Sequence, residues 1–266
     1  MKEKGGSGTT AEIIDRAIEI LNISEDEQNK VLGSGGSKVR NQANWARLYL
    51  AHGGILDSSA RGVWKLTESG SQINPVSFDF QQLFRDVQRK FQAARQERPE
   101  KEEEQDVEEI ADSTEDYHTA VLRTLRSLSP EGFERLCQRL LRESGFEQVV
   151  VTGRSGDGGI DGLGILQINP FVSFNVLFQC KRYSGSVNPS QIRDFRGAMQ
   201  GRADKGIILT TGTFTVEAKK EARRDGAPPI ELVDGDDLVK LFENLEFGLK
   251  PRKTFDIDEA FFSEFR

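Results

Sequence analysis

The chain has 266 residues, 36% apolar and 30% charged, with a net charge of −7, enough for two ordinary domains that each bury a core. Cys137 and Cys180 are the only cysteines, and His52 and His118 the only histidines. That excludes a disulfide framework, a thiolate metal cluster, a histidine-rich metal site and a nuclease built on a histidine base. No apolar run approaches the ~18 residues of a membrane span, and the opening "MKEKGGSGTTAEII" lacks a signal-peptide core, so a cytoplasmic address with no membrane contact is expected.

In chain order, "TTAEIIDRAIEIL" spaces Ile13, Ile14, Ala17, Ile18 and Leu21 as one helix face. Asp26 and Glu27 suit the first turn of a second helix ending near Leu32. A third helix, "SKVRNQANWARLYLAHGG", offers Val39, Ala43, Trp45, Ala46, Tyr49 and Leu50 as core. "ILDSSARGVWKLTESG" reads as two short strands around a turn, and "SFDFQQLFRDVQRKFQAARQ" restores helical periodicity. Three helices followed by a β-hairpin is the order of a winged helix, whose third helix enters the major groove while the hairpin tip follows the backbone. Lys38, Arg40, Asn41, Asn44 and Arg47 on that helix, with Arg61 at the hairpin, are candidate DNA contacts. The alternative is a plain solvent face on a dimerisation or docking module.

Residues 97–116 carry 11 acids and 2 bases, so the rest of the chain sums to about +2. One segment therefore sets the overall acidity, and nucleic acid is not excluded as a partner. A solvated linker is expected there, with an autoinhibitory DNA mimic as the alternative. The expected organisation is a winged-helix domain over 1–96, the linker over 97–116, an α/β domain over 117–246 and a tail over 247–266.

Past the linker, "SPEGFERLCQRLLRESGF" predicts a helix with a Ser129 cap and Pro130 at its first position. Strands are expected at "EQVVVTG", "GLGILQI" and "NVLFQCKRY", then a helix "NPSQIRDFRGAMQG" with Asn188 and Gln191 in capping-box positions. A strand "KGIILTT", a helix "TVEAKKEARRDG", a strand "IELVDG" and a helix "DDLVKLFENL" complete one mixed sheet flanked by helices.

Side chains alternate along a strand, so Gln179 and Lys181 of "VLFQCKRY" project together, with Tyr183 just beyond, while Phe178 and Cys180 face a core. A hairpin would bring Asp161, at the mouth of "GLGIL", beside them. Glycines 156, 158, 159 and 162 permit positive φ and leave room for a phosphate or metal. An acid at a strand start, then an acid or amide, any residue and lysine on the next strand, is the pattern of PD-(D/E)xK nucleases. Phosphodiester hydrolysis calls for a hard cation, usually Mg²⁺, held by oxygen. Asp161, the Gln179 amide and the Cys180 carbonyl would supply those oxygens, Lys181 would orient the attacking water, and Glu134 on the first helix would reach in through a bridging water. Arg182, Tyr183, Arg193 and Arg196 are candidate DNA contacts, and Thr210 and Thr211 candidate phosphate donors or plain strand residues.

More than these residues matches a known family. "FERLCQRLL…GF", "SGDGGIDG", "FQCKRY", "SQIRDFRGAM", "KGIILTTGTFT" and "EAKKEA" resemble the catalytic domain of the Mrr-type restriction endonucleases. "NQANWARLYLAHGGIL" and "RGVWKLTESG" resemble that family's amino-terminal domain. The resemblance implies a restriction-endonuclease-like fold, Mg²⁺-dependent cleavage of modified foreign DNA, and catalytic positions at Asp161, Gln179 and Lys181, with Glu134 beside them. Asp157 matches the family's first aspartate and is read as a turn residue. Two centres for a double-strand break imply a homodimer or DNA-induced oligomer. The rivals are an inactive DNA-docking protein and a structure-selective repair nuclease.

Overall fold

The computed structural model describes residues 1–33, 36–57, 63–96, 117–151 and 159–251. Arg61, Asp157, the acidic segment and the chain beyond 251 lie outside the described residues. In the amino-terminal part, a short turn at Lys2–Lys4 leads into β1 (Ser7–Thr9), α1 (Thr10–Ile20), α2 (Glu25–Gln28) and α3 (Lys38–His52). β2 (Leu56–Asp57), β3 (Val63–Leu66), α4 (Glu68–Gln72) and α5 (Phe80–Gln96) follow. Thr9 and Glu12 form the capping box that starts α1, and Ser37 caps α3. The strands lie in the order β1-β3-β2, all antiparallel.

Ile13, Ile14, Ile18, Val39, Leu56 and Trp64 form the core of this part. The expected three helices and paired strands are present, with differences. α2 stops at Gln28, because the chain turns there and Val31 bridges to Ser37. Ala46 is exposed, because α3 turns Tyr49 toward α5, where its ring sits 4.5 Å from that of Phe84.

The second part contains α6 (Tyr117–Ser127), α7 (Pro130–Glu143), β4 (Phe146–Val151), β5 (Gly162–Asn169), β6 (Val172–Lys181), β7 (Ser186–Val187) and α8 (Pro189–Met199). It continues through β8 (Lys205–Thr210), β9 (Thr213–Phe214), α9 (Val216–Ala222), β10 (Ile230–Val233) and α10 (Gly235–Asn244). The main sheet runs β10-β8-β6-β5-β4, parallel from β10 to β6 and antiparallel from β6 to β4. It is mixed because a tight connection returns β5 into β6, whereas α8 and α9 carry the chain across to parallel partners.

Both faces are covered. Leu177 and Ile208 pack with Ile192, Phe195 and Met199 of α8 and Ala218 and Ala222 of α9. Phe178 and Leu209 pack with Phe133, Cys137 and Leu140 of α7 and Leu238 of α10. Alternation along β6 therefore sends each side chain to a known layer. Among the described residues no helix is long and apolar enough to cross a membrane.

The two parts touch. Val216 at the start of α9 is buried with Ile13, Ile14 and Ile18, and its N–H donates to the Gln28 side chain at 3.4 Å. Asp15 on α1 accepts both Arg40 of α3 and Lys219 of α9.

Candidate active site

The site is assembled by the β5–β6 register. Gly162 pairs with Phe178, so the residue before it, Asp161, stands beside Gln179 and Cys180. The Asp161 N–H donates to the Phe178 carbonyl at 3.0 Å, and its carboxylate accepts the Cys180 N–H at 2.6 Å. That charge-assisted bond holds the acid on the backbone of β6.

Gln179 is nearly buried, on the face that carries Leu177. Its side-chain N–H donates to the Gly159 carbonyl. Because the nitrogen end must face that carbonyl, the oxygen end faces the other way, and Oε1 is buried with no hydrogen-bond partner. Gly159 has φ +78°, and a Cβ there would overlap the Gln179 amide. A Cβ on Gly162 would overlap the Phe178 ring and the Val150 carbonyl. Those two glycines thus admit the protein's own atoms, where room for a phosphate or metal was expected; residues 156 and 158 are outside the described residues.

Lys181 follows on the same face, its ammonium 5.4 Å from the centre of the Tyr183 ring. The strand end is clamped behind it: Thr210 donates its hydroxyl to the Lys181 carbonyl and Thr211 donates to that of Tyr183, both at 2.8 Å. Both threonines are fully buried, so they hold the backbone and do not face a phosphate.

Glu134 is half-buried on α7, the side of the sheet that Cys180 faces. Burial, reinforced by Glu131 and opposed by Arg135, raises its carboxyl above the ordinary range. The Cys180 thiol is pushed well up by its hydrogen bond with Cys137, by burial, and by the negative fields of Cys137, Asp161 and Glu134. Asp161 meets Cys180 through the main-chain N–H of Cys180, and Glu134 stands on the helix packed over the Cys180 side of the sheet. Among the described residues no three His, Cys, Asp or Glu side chains converge to hold a metal. A cation here would need the Gln179 amide and main-chain oxygen as well.

The DNA candidates divide. Arg193 is half-exposed, 3.8 Å from Glu221. Arg196, also read as a DNA contact, is instead engaged internally: it is mostly buried against the Glu221 carboxylate and donates to the Glu221 and Ala222 carbonyls. One turn apart, the two share a face of α8 that looks toward Glu221 of α9, and Arg196 lies under the packed helices while Arg193 stands at the edge of that contact. Arg182 is exposed and donates to the Arg126 carbonyl. Tyr183 is exposed, not core, and its hydroxyl accepts from Gln191 at 3.1 Å.

On α3, Lys38, Asn41 and Asn44 are exposed. Arg40 is engaged internally, 3.2 Å from Asp15 and only 13% exposed, and the Arg47 guanidinium lies 5.8 Å over Trp64. Arg40, Asn41 and Asn44 line a cleft of about 250 Å³ that Arg126, Gly212 and Asp236 close from the other part of the molecule.

Sequence reasoning missed two features. The Gly159–Gln179 tether was hidden because glycine spacing does not say what fills the space. Asp234, cap of α10, is 7% exposed, and its carboxyl is raised from 3.8 to about 6 by burial and by Asp237 and Asp236, with Arg40 opposing.

A five-stranded mixed sheet flanked by helices, with an acid, an amide and a lysine at the rim of adjoining strands, is a restriction-endonuclease-like fold. Residues 125–242 match the family model of the Mrr catalytic domain, described as a restriction endonuclease, and residues 1–74 match the Mrr N-terminal domain. The chain belongs to the Mrr-type restriction endonucleases and is a DNA nuclease. It is 28% identical over 275 residues to the type IV methyl-directed restriction enzyme EcoKMrr of Escherichia coli K12, covering 91% of this chain and 87% of that one. Among solved structures, it is similar to the DNA modification-dependent restriction endonuclease AspBHI, at 22% identity and TM-score 0.44 over 50% of this chain. It is also similar to MspJI restriction endonuclease in complex with a 27-mer oligonucleotide, at 25% identity and TM-score 0.40 over 53% of this chain. The chain spans 36% and 38% of those two chains.

Proposed function

We propose that the protein is a Mg²⁺-dependent endonuclease that cuts modified double-stranded DNA, with a winged-helix reader over 1–96 joined by the acidic linker to a cutter over 117–246. The observation that carries it is the buried, unpartnered Oε1 of Gln179 on the strand where Asp161 is anchored and Lys181 stands two residues on. A buried oxygen left without a partner costs about 1–3 kcal/mol, a cost that a bound cation would remove.

The donor set fits the ion. The Asp161 carboxylate, Gln179 Oε1 and the Cys180 carbonyl are hard oxygens of the kind Mg²⁺ takes, with positions left for water. When bound, Mg²⁺ supplies positive charge at the phosphate and acidity to water at neutral pH. Lys181 orients the attacking water and offsets the charge that gathers on phosphorus. Asp161 keeps its position through the Cys180 N–H. Glu134, with its raised carboxyl, is suited to hold a proton near the site. Arg182 and Arg193 grip backbone phosphates, and Lys38, Asn41 and Asn44 face the duplex. The products are 5′-phosphate and 3′-hydroxyl ends, and a double-strand break draws two chains together as a homodimer. Likeness to a methyl-directed relative supports methylated DNA as substrate.

The test is cleavage of methylated and unmethylated plasmid with Mg²⁺ and with EDTA, beside Lys181→Ala and Asp161→Asn. The reading expects Mg²⁺-dependent cutting of the methylated form alone, lost by at least about 10²-fold in either variant. Equal cutting by Lys181→Ala would overturn it.

A further inference from the structure

Lysine carries four rotatable bonds, and a lysine that orients a water must be held in one of its many rotamers. Among the described residues no carboxylate is ion-paired with the Lys181 ammonium. What stands against it is the face of Tyr183, 5.4 Å away at the ring centre, within the range where a cation is attracted to the ring's negative face.

Tyr183 is itself held at three points. Its N–H donates to the Lys181 carbonyl at 2.9 Å, folding the chain back as β6 ends. Its carbonyl accepts the Thr211 hydroxyl. Its own hydroxyl accepts the Gln191 side-chain N–H at 3.1 Å, and the other end of that amide accepts the Asn188 N–H, also at 3.1 Å. Gln191 therefore does two jobs: it completes the capping box of α8 and aims the Tyr183 ring. A turn, a helix cap and a buried threonine all fix the plane on which the ammonium rests.

We infer that Tyr183 is a positioning residue for Lys181, acting on the chemical step through the ring face and with Gln191 setting the ring. This rests on the reading of Lys181 as the residue that orients water. It differs from a role in gripping DNA, which would use the hydroxyl and show in substrate affinity. Tyr183 is 38% exposed, so its replacement leaves both cores intact.

The experiment compares wild type, Lys181→Ala, Tyr183→Phe and Tyr183→Leu on a 5-methylcytosine-containing plasmid with Mg²⁺, reading kcat and KM separately, with thermal unfolding in parallel. Tyr183→Met replaces the leucine variant should that one unfold early. The inference expects kcat about tenfold lower in Tyr183→Leu with KM unchanged, and Tyr183→Phe about threefold lower, because the ring stays but loses the Gln191 bond that sets it. Raised KM in both tyrosine variants would overturn it in favour of a DNA contact. Full kcat in Tyr183→Leu, beside an inactive Lys181→Ala, would overturn it alone. An active Lys181→Ala, or a wild type that cuts nothing, would remove the reading beneath it as well.

Discussion

The rim of the main sheet and the exposed face of α3 carry the two sets of candidate residues, and they are built differently. At the rim, main-chain bonds fix the side chains: Asp161 on the Cys180 N–H, Gln179 on the Gly159 carbonyl, the end of β6 on two buried threonines. On α3 the polar residues are spread around half of the helix and meet different partners. Asp15 takes Arg40, Trp64 lies under Arg47, and Lys38, Asn41 and Asn44 remain exposed. A site set by backbone register tolerates little change, whereas a helix face loses its contacts one at a time.

The largest expected effect tests the rim. Gly159→Ala places a Cβ against the Gln179 amide at a backbone angle that L residues avoid. Displacing the amide by about an ångström is expected to lower cleavage about 10²-fold, while circular dichroism still reports a folded chain. No loss of rate would mean that Gln179 is not part of the site.

Next come the two arginines of α8. Arg196→Ala strips a buried ion pair of one partner and is expected to destabilise by about 3 kcal/mol in urea unfolding. Arg193→Ala, half-exposed, should change stability by less than about 0.5 kcal/mol. It should instead weaken DNA binding and reduce the salt slope by about one. Similar stability losses in both would contradict their assigned places.

Asp234 gives a pH signature. The folded carboxyl keeps its proton to about pH 6 against an ordinary 3.8. Between those values the folded state binds more protons, so stability falls as pH rises through that window. Asp234→Asn keeps a capping side chain and is expected to gain about 2 kcal/mol at pH 7.5, the gain vanishing near pH 4, as followed by thermal unfolding. An equal gain at both pH values would sink the account.

The smallest effect tests the contact between the parts. Asp15→Ala releases Arg40 and Lys219, both only partly buried, and should cost about 1 kcal/mol. Limited proteolysis should then cut the segment between the parts faster than in wild type.

Much of this was legible in the sequence. The caps at Ser129 and Asn188, the burial of Ile13, Ile14 and Ile18 on α1, and the alternation along β6 are where expected, whereas Leu21, counted on the same stripe, is exposed past the end of α1. β1, β7 and β9 escaped notice, because strands of two or three residues carry no measurable period. α6 escaped too, although Val121, Leu122 and Leu125 mark its inner face, since its start lies against the acidic segment. Arg196 and Arg193 read alike in sequence, and only the packing of α9 over α8 separates them.

By itself the sequence determined the longer strands, most of the helices, the family and the three candidates for the centre, because caps, periodicity and motifs are written between near neighbours. Tertiary structure alone decided the filling beside Gly159 and Gly162, the orphaned oxygen of Gln179, the burial of Asp234 and the commitment of Arg40 to Asp15. Each of these depends on an atom brought close by packing from a distant position in the chain, and local pattern carries no record of such a neighbour.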